Sequence, residues 1–202
     1  TNTINDALTN LTLSNQVVTY SVSITSLDNN CIGTPSLINT TVYPLPVVNS
    51  NNQTICNGEA ASIQLSASSP SSFTWIATDN INTTGESLIL KSTYTINDII
   101  SNNSNTFQLI SYSVTPTSIP EACSGNISTL SLTVFPTIQS TITLTPINCS
   151  NQIIFGNNTV PTPSTYLWNF GDGNTSGSAS PTNNYFSPGT YTVTLFTSNA
   201  YG

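Results

Sequence analysis

Four kinds of residue in this chain could do chemistry, and each is scarce. Lys91-Ser92 has the composition of a Ser/Lys nucleophile pair. Asp79 and Glu86 bracket one loop, as two carboxylates bracket the scissile bond in a glycosidase. Trp75 and Trp168 offer flat faces for sugar stacking, and Cys31, Cys56, Cys123 and Cys149 offer thiols. Histidine is absent, which removes His-centred triads and imidazole metal sites. Spacing then weakens each candidate. Neighbours on a strand point to opposite faces, so Lys91 and Ser92 would not meet, and Lys91 reads as a solvated side chain. The stretch from Asp79 to Glu86 is Asn, Thr and Gly, the composition of a turn between strands. The cysteines stand far apart and form no C-x-x-C, so zinc-type spacing is missing. No catalytic residue, metal site or cofactor is expected.

The elements around these residues carry almost no charge. Of 202 residues, Lys+Arg number 1 and Asp+Glu 8, a net charge of −7. Charged residues make up 4%, against about 25% in ordinary soluble proteins. Ser, Thr and Asn supply the polar surface instead. One lysine cannot neutralise a run of phosphates, so nucleic acid and anionic lipid are excluded as partners. No apolar run approaches the roughly 18 residues of a membrane helix. A charge-poor chain with dispersed cysteines suits an oxidising extracellular setting, and the protein is expected to be secreted. Nine Asn-x-Ser/Thr sequons occur, Asn10 among them. A chain so rich in these residues produces that many by chance.

Self-similarity is the strongest signal. Thr3-Ile4-Asn5-Asp6 recurs as Thr95-Ile96-Asn97-Asp98, an offset of 92. The same offset carries Tyr20-Ser21-Val22 onto Tyr112-Ser113-Val114, Cys31 onto Cys123 and Gly33 onto Gly125. It also carries Thr41-Val42-Tyr43-Pro44 onto Thr133-Val134-Phe135-Pro136. Cys56 and Trp75 lie as far apart as Cys149 and Trp168, an offset of 93. The two tryptophans therefore share a repeat position, which favours core roles over sugar platforms. Residues 1–46 read as the back half of one module, 47–137 as a complete module, and 138–202 as a module lacking its last strand. The chain shows no initiator Met or signal peptide, and the array is expected to continue in both directions. The half-module should not be stable alone.

Each module reads as β. Residues 62–65 and 191–195 alternate apolar with polar throughout, and 16–24 ends in the same alternation, so each has one face buried and one solvated. Thr95 to Ser101 leaves room for one helical turn. Short strands, a tryptophan in the third and a tyrosine early in the sixth are marks of an immunoglobulin-like sandwich. The expected fold class is all-β, with tandem immunoglobulin-like β-sandwiches forming a fragment of a longer array.

Near the C-terminus stand Trp168-Asn169-Phe170-Gly171-Asp172-Gly173, Pro181, Tyr185, Gly189-Thr190-Tyr191-Thr192-Val193-Thr194-Leu195, Asn199 and Gly202. This pattern resembles the PKD domain, a sandwich named for polycystic kidney disease protein. Where that family often has His two residues before the tyrosine, this chain has Asn183. The first two modules lack Gly-Asp-Gly. They resemble the looser PKD-like repeats of very large surface proteins secreted by Bacteroidota, through Ile55-Cys56-Asn57-Gly58, the Tyr-Ser-Val strand, Cys-x-Gly and the closing Val-Phe-Pro or Val-Tyr-Pro. Trp168 and Phe170 share strand parity and should face the core. Gly171 and Gly173 permit positive φ in a tight reversal, where the Asp172 carboxylate can accept backbone N–H bonds. A Ca²⁺ site at Asp172 would want more carboxylates than the neighbouring sequence holds. Tyr191, Tyr20 and Tyr112 are expected to act as tyrosine corners.

Cys56 and Cys149 precede strand B, at one end of their sandwiches, and Cys31 and Cys123 follow strand F, at the other. A strand of eight residues spans about 26 Å, whereas a disulfide needs Cα atoms within about 7 Å. Staples between consecutive modules are therefore expected, with Cys56 pairing to a cysteine just past Gly202. The expected function is a non-enzymatic stalk or extracellular fibre of a secreted surface protein. Its partners would be neighbouring modules, other copies in a fibre, and a surface glycan or protein bound by an adhesive tip. The resemblance adds adhesins, including those of gliding motility. The alternative is a spacer module of a secreted polymer-degrading enzyme.

Overall fold

The computed structural model describes residues 3–198 and is all-β, with no helix among them. Asn199 and Gly202 of the C-terminal motif lie outside the described residues. The chain opens with a hairpin in which β1 (Gln16–Val22) pairs antiparallel with β2 (Ser36–Val42), from Gln16↔Val42 to Val22↔Ser36. Two strands cannot enclose a core. Val18, Tyr20 and Val22, alternate residues of β1, are only half-buried, and Ile38 opposite Tyr20 is 51% exposed.

The second domain holds β3 (Gln53–Ile55), β4 (Ile63–Gln64), β5 (Ser71–Ala77), β6 (Thr83–Thr84), β7 (Thr95–Ile96), β8 (Ser101–Asn102), β9 (Gln108–Ser118) and β10 (Ser128–Val134). Its main sheet runs β3-β10-β9-β5, with β3 parallel to β10 and the other neighbours antiparallel. The strands β4 and β7 pair separately, as do β6 and β8. The period-two pattern of the sequence becomes the core directly. Phe73, Trp75 and Ala77 on β5, Ile110, Tyr112 and Val114 on β9, and Leu130, Leu132 and Val134 on β10 are all buried. Ile63, Leu65, Ile96 and Ile100 belong to the same cluster. Each such aliphatic side chain contributes about 1.5–3 kcal/mol by leaving water.

Two local features differ from or refine the sequence reading. The helical turn expected over Thr95 to Ser101 is absent. Ile96, Asp98 and Ile100 are buried while Asn97 and Ile99 are exposed, and Ile96 pairs with Ile63. An extended segment buries alternate residues; a helical turn would keep Ile96 and Ile100 on one face and turn Asp98 away from it. Pro116 sits inside β9 without costing a ladder bond. Its carbonyl accepts from the Gly125 N–H, so its missing N–H faces the loop beyond the last β9–β10 pair, Val114↔Ser128.

The repeat holds in space as well as in sequence. All seven pairs of β1–β2 recur in β9–β10 at an offset of 92, and the bridge Thr25↔Ile32 recurs as Thr117↔Ser124. The loop between them repeats too. Ser26 N–H donates to Cys31 O and Ser118 N–H to Cys123 O, while Asn30 and Ala122 both hold φ near +55° (52 and 58).

The third domain comprises β11 (Ile142–Pro146), β12 (Gln152–Asn157), β13 (Thr165–Asn169), β14 (Thr175–Ser176), β15 (Thr182–Asn184) and β16 (Thr194–Ser198), in sheets β11-β12-β15 and β14-β13-β16. Its buried core is small: Phe155, Trp168 and Phe170, with Ile153, Tyr166, Tyr185, Val193 and Leu195 packed around them. From tryptophan to cross-strand partner the chain takes 39 residues in the second domain (Trp75 to Val114) and 27 in the third (Trp168 to Leu195).

Candidate functional site

Both tryptophans sit at the centre of their domains. Trp75 is 3% exposed and Trp168 0%. Trp75 Nε1 donates to Thr93 Oγ1 at 3.0 Å, and Trp168 Nε1 to the Ser178 carbonyl at 2.9 Å. The Trp75 ring meets Tyr112 edge-on at 5.7 Å, and Trp168 lies nearly parallel to Phe170 at 6.3 Å. Neither presents a face to a ligand. Lys91 is exposed, and its backbone exchanges both hydrogen bonds with Trp75. Glu86 accepts from the Thr83 hydroxyl and is half-buried, while Asp79 is exposed. Among the described residues no group of three His, Cys, Asp or Glu side chains gathers as a metal site.

The three tyrosines fall into two arrangements. Tyr191 donates from its hydroxyl to the Ser187 carbonyl, four residues upstream, at 2.8 Å. This is the corner geometry, a side chain tying strand F back to the loop before it. Tyr112 does something else. It stands opposite Ala77, and its hydroxyl donates to Asp98 Oδ2 at 3.1 Å rather than to backbone. By strand register its counterpart in the third domain is Val193, and Tyr191 corresponds to Ile110. The shared Tyr-x-Val or Tyr-Ser-Val lettering hides a two-residue difference. Asp98, 9% exposed, also accepts from Ser87 N–H at 2.8 Å and Ser87 Oγ at 2.7 Å. Burial, with the Asp98 charge next, pushes the Tyr112 phenol well up. Tyr20 is likewise raised, by burial and then by its hydrogen bond to Asp6. The repeated Thr-Ile-Asn-Asp thus supplies the acceptor for the repeated tyrosine. Tyr112→Phe should cost about 1 kcal/mol, one hydrogen bond to a carboxylate that keeps other partners. Urea denaturation of the second domain would read it as a small shift in midpoint.

A second repeated constellation is Asn102, 5% exposed. Its Nδ2 donates to Thr106 O at 2.8 Å and Val134 O at 3.0 Å, and its Oδ1 accepts from Ser104 N–H and Ser104 Oγ. Asn10 makes the same four bonds, to Ser14 O, Val42 O, Thr12 N–H and Thr12 Oγ1. Both are sequon asparagines, and their side-chain amides are engaged inside the fold. The signal was the unchanged offset of 92 together with the shared pattern Asn-x-Ser/Thr-x-Ser/Thr-x-Gln.

In the third domain the Gly-Asp-Gly turn is built around Asp172. Gly171 has φ +78°, and a Cβ there would lie 2.6 Å from the Thr192 carbonyl oxygen, so no other residue fits. Asp172 Oδ1 accepts from Asn174 N–H at 2.9 Å, and Oδ2 from Asn174 Nδ2 at 3.1 Å and Asn183 Nδ2 at 2.7 Å. Asn183, 6% exposed, therefore supplies a hydrogen bond from the position where the family often carries His. Its amide, followed by the Asn174 donors and against some desolvation, holds the Asp172 carboxyl below its ordinary range. A carboxylate whose folded pKa is depressed stabilises the fold above its unfolded value, near 3.9, and loses that contribution as pH falls through the folded pKa. The melting temperature of the third domain should fall as pH drops from about 5 toward 2. Asp172→Asn should flatten that dependence.

The four cysteines are unbonded. Cys56 follows β3, whose last residue pairs with Val134 at the end of β10, whereas Cys123 precedes β10. They stand at opposite ends of one sandwich, too far apart for a disulfide within the domain.

The joins between modules are held by side chain and backbone together. Gly125, two residues past Cys123, lies against the segment entering its domain. A Cβ there would stand 2.1 Å from the Pro46 carbonyl oxygen. Pro46 is fully buried. At the other end Asn57 Oδ1 accepts from Asn102 N–H at 2.7 Å, and Asn57 Nδ2 donates to Thr137 Oγ1 at 2.8 Å. Pro46 and Thr137 sit at neighbouring repeat positions, so the second domain holds both the segment that enters it and the residues with which it ends. Gly125→Ala should force the Pro46 segment away, costing about 1–3 kcal/mol as overpacking does. Amide NMR shifts confined to residues 44–48 and 123–127 would check it.

Sandwich architecture, aromatic cores and polar turns leave the family to be decided by comparison. Residues 53–138 match the model of a PKD-like domain, and residues 136–202 match that of a PKD domain. The chain carries two PKD-type domains in tandem. No curated protein matches the chain. PKD domains are extracellular structural and adhesive modules, typically non-catalytic. The Gly-Asp-Gly turn lies in the PKD domain, and the Tyr112–Asp98 and Asn102 networks lie in the PKD-like domain.

Proposed function

We propose that this chain is a repeat segment of a stalk or extracellular fibre in a large secreted surface protein. In this role it holds an adhesive tip away from the surface, and adhesins of the gliding-motility type are one candidate. The observation that carries the reading is the pair of joins. Gly125 on Pro46 and Asn57 on Thr137 fasten each end of the PKD-like domain to its linker, and Pro44, Pro46 and Pro136 further limit bending. A stalk needs such stiff joins, whereas a tether between an enzyme and its substrate-binding module is served by flexible ones. A single lysine leaves a trypsin-like protease one site, which suits long exposure outside the cell. Staples between cysteines of consecutive modules would stiffen the joins further.

Intact mass and electron microscopy of the native parent protein test this reading. The expected image is a thin fibre of equal beads, each about 35–40 Å long, the length of strands of about ten residues. A compact particle dominated by one large globular domain would overturn it and make these domains the spacer of an enzyme.

A further inference from the structure

The turn that fastens the second domain to Thr137 contains the chain's single Asn-Gly step, Asn57-Gly58. Asparagine is a thermolabile residue, and a following glycine has no side chain to shield its amide nitrogen from the asparagine amide. Both residues are nevertheless demanded here. Glu59 N–H donates to the Cys56 carbonyl at 3.2 Å, closing a turn in which Gly58 holds φ +80°. That is the third residue of a type II turn, a position that calls for glycine. Asn57 supplies two bonds of the join: its Oδ1 accepts from Asn102 N–H at 2.7 Å and its Nδ2 donates to Thr137 Oγ1 at 2.8 Å. The neighbouring nitrogen is tied as well, since Gly58 N–H donates to the Ile100 carbonyl at 2.8 Å. Asn57 is half-buried and Gly58 exposed, so water reaches the pair.

We infer that Asn57-Gly58 is a self-modification site, held shut by the fold and released when the join opens. With the join closed, the Asn57 amide and the Gly58 nitrogen are both engaged elsewhere and cannot meet. When this end of the domain opens, the Gly58 nitrogen gives its proton to base and attacks Asn57 Cγ. The Cγ–Nδ2 bond breaks, Nδ2 leaves as ammonia, and a cyclic succinimide forms. Water then adds to either imide carbonyl, giving aspartate or isoaspartate, and nothing is oxidised or reduced. Both products lack the Nδ2 donor that held Thr137, and isoaspartate also lengthens the backbone of the turn by a methylene. The join cannot then close as before, so a transient opening becomes a permanent one. At the offset of 93 the third domain carries Ser150-Asn151 at these positions, so the site belongs to the PKD-like domain. The inference rests on the bonds of the join and not on what the array carries.

The experiment incubates the 202-residue chain at mildly alkaline pH, folded in buffer and unfolded in urea. Peptide mapping, with aspartate and isoaspartate products separated by chromatography, follows Asn57. In urea Asn57 should convert ahead of every other asparagine. In buffer it should convert at least about tenfold more slowly, because only opened molecules react. Thr137→Val removes the acceptor of Nδ2 at an exposed position and should speed the reaction in buffer several-fold while leaving the urea rate unchanged. Chain converted in urea and returned to buffer should show a lower second-domain urea midpoint than unconverted chain. Asn57→Gln taken through the same treatment should keep its own midpoint. Equal rates in buffer and urea, or earlier conversion of another asparagine in urea, would overturn the inference. So would a Thr137→Val rate equal to that of the unaltered chain, or a converted chain that regains the original midpoint.

Discussion

Asn102→Ala should lower the stability of the second domain by about 3 kcal/mol, because several buried polar groups lose their partner at once and each costs about 1–3 kcal/mol. The amide spans the turn before β9 and the end of β10, donating to Thr106 O and Val134 O while accepting twice from Ser104. Water cannot replace it without entering a site where Asn102 is 5% exposed. Asn102→Asp should not rescue it, since a carboxylate facing two carbonyl oxygens repels where the amide donated. Urea denaturation followed through second-domain methyl resonances measures the loss. An unchanged midpoint would mean that the turn is held by other contacts, Gln108 Nε2 to Ser104 Oγ and Thr106 Oγ1 being the nearest.

Trp168→Ala should unfold the third domain and leave the second folded. Removing a buried large aromatic costs about 3–5 kcal/mol, and here it removes one of the three residues of the domain's buried hydrophobic cluster, with Phe155 at 5.6 Å and Phe170 at 6.3 Å losing their neighbour. The variant keeps one tryptophan, Trp75, in the other domain. Its fluorescence should show an unchanged cooperative transition, while third-domain amides exchange freely. Loss of both domains together would overturn this expectation and reveal that the two unfold as one unit.

Much of this architecture was legible because β-structure writes its burial into the sequence at period two. Phe73-x-Trp75-x-Ala77 and Ile110-x-Tyr112-x-Val114 need no context to be read as core faces. The offset of 92 was equally plain, and it carried Tyr20-Ser21-Val22 and Thr41-Val42 onto their counterparts before any strand was placed. Sequence reasoning stopped at side chains whose partner lies at a distance only the fold sets. Asp98 looked like one acid among eight until the Tyr112 hydroxyl came to rest beside it. Asn10 and Asn102 looked like chance sequons, because the partners of the amide, on a turn and a neighbouring strand, are set by the fold and only the shared repeat position marked the pair. Tyr191 was grouped with Tyr20 and Tyr112 by lettering, whereas strand register, which depends on a connection twelve residues shorter, separates them. The helical turn at Thr95 to Ser101 failed for a related reason: its residues alternate in burial only because β4 and the core lie on one side.

The sameness of the two hairpins has a consequence for how such an array is synthesised. With registers identical at every pair, β2 could zip onto β9 as readily in geometry as onto β1, joining strands from adjacent modules into a misassembled sheet. What separates the outcomes is time and context. Each β10-type strand follows its own partner by a single connection, narrowed by a Cys-bearing turn whose backbone bonds close locally, so correct pairing is the pairing of lower sequence separation. The PKD domain that follows has a different core and a connection twelve residues shorter from tryptophan to cross-strand partner, so its strands do not share the interchangeable spacing.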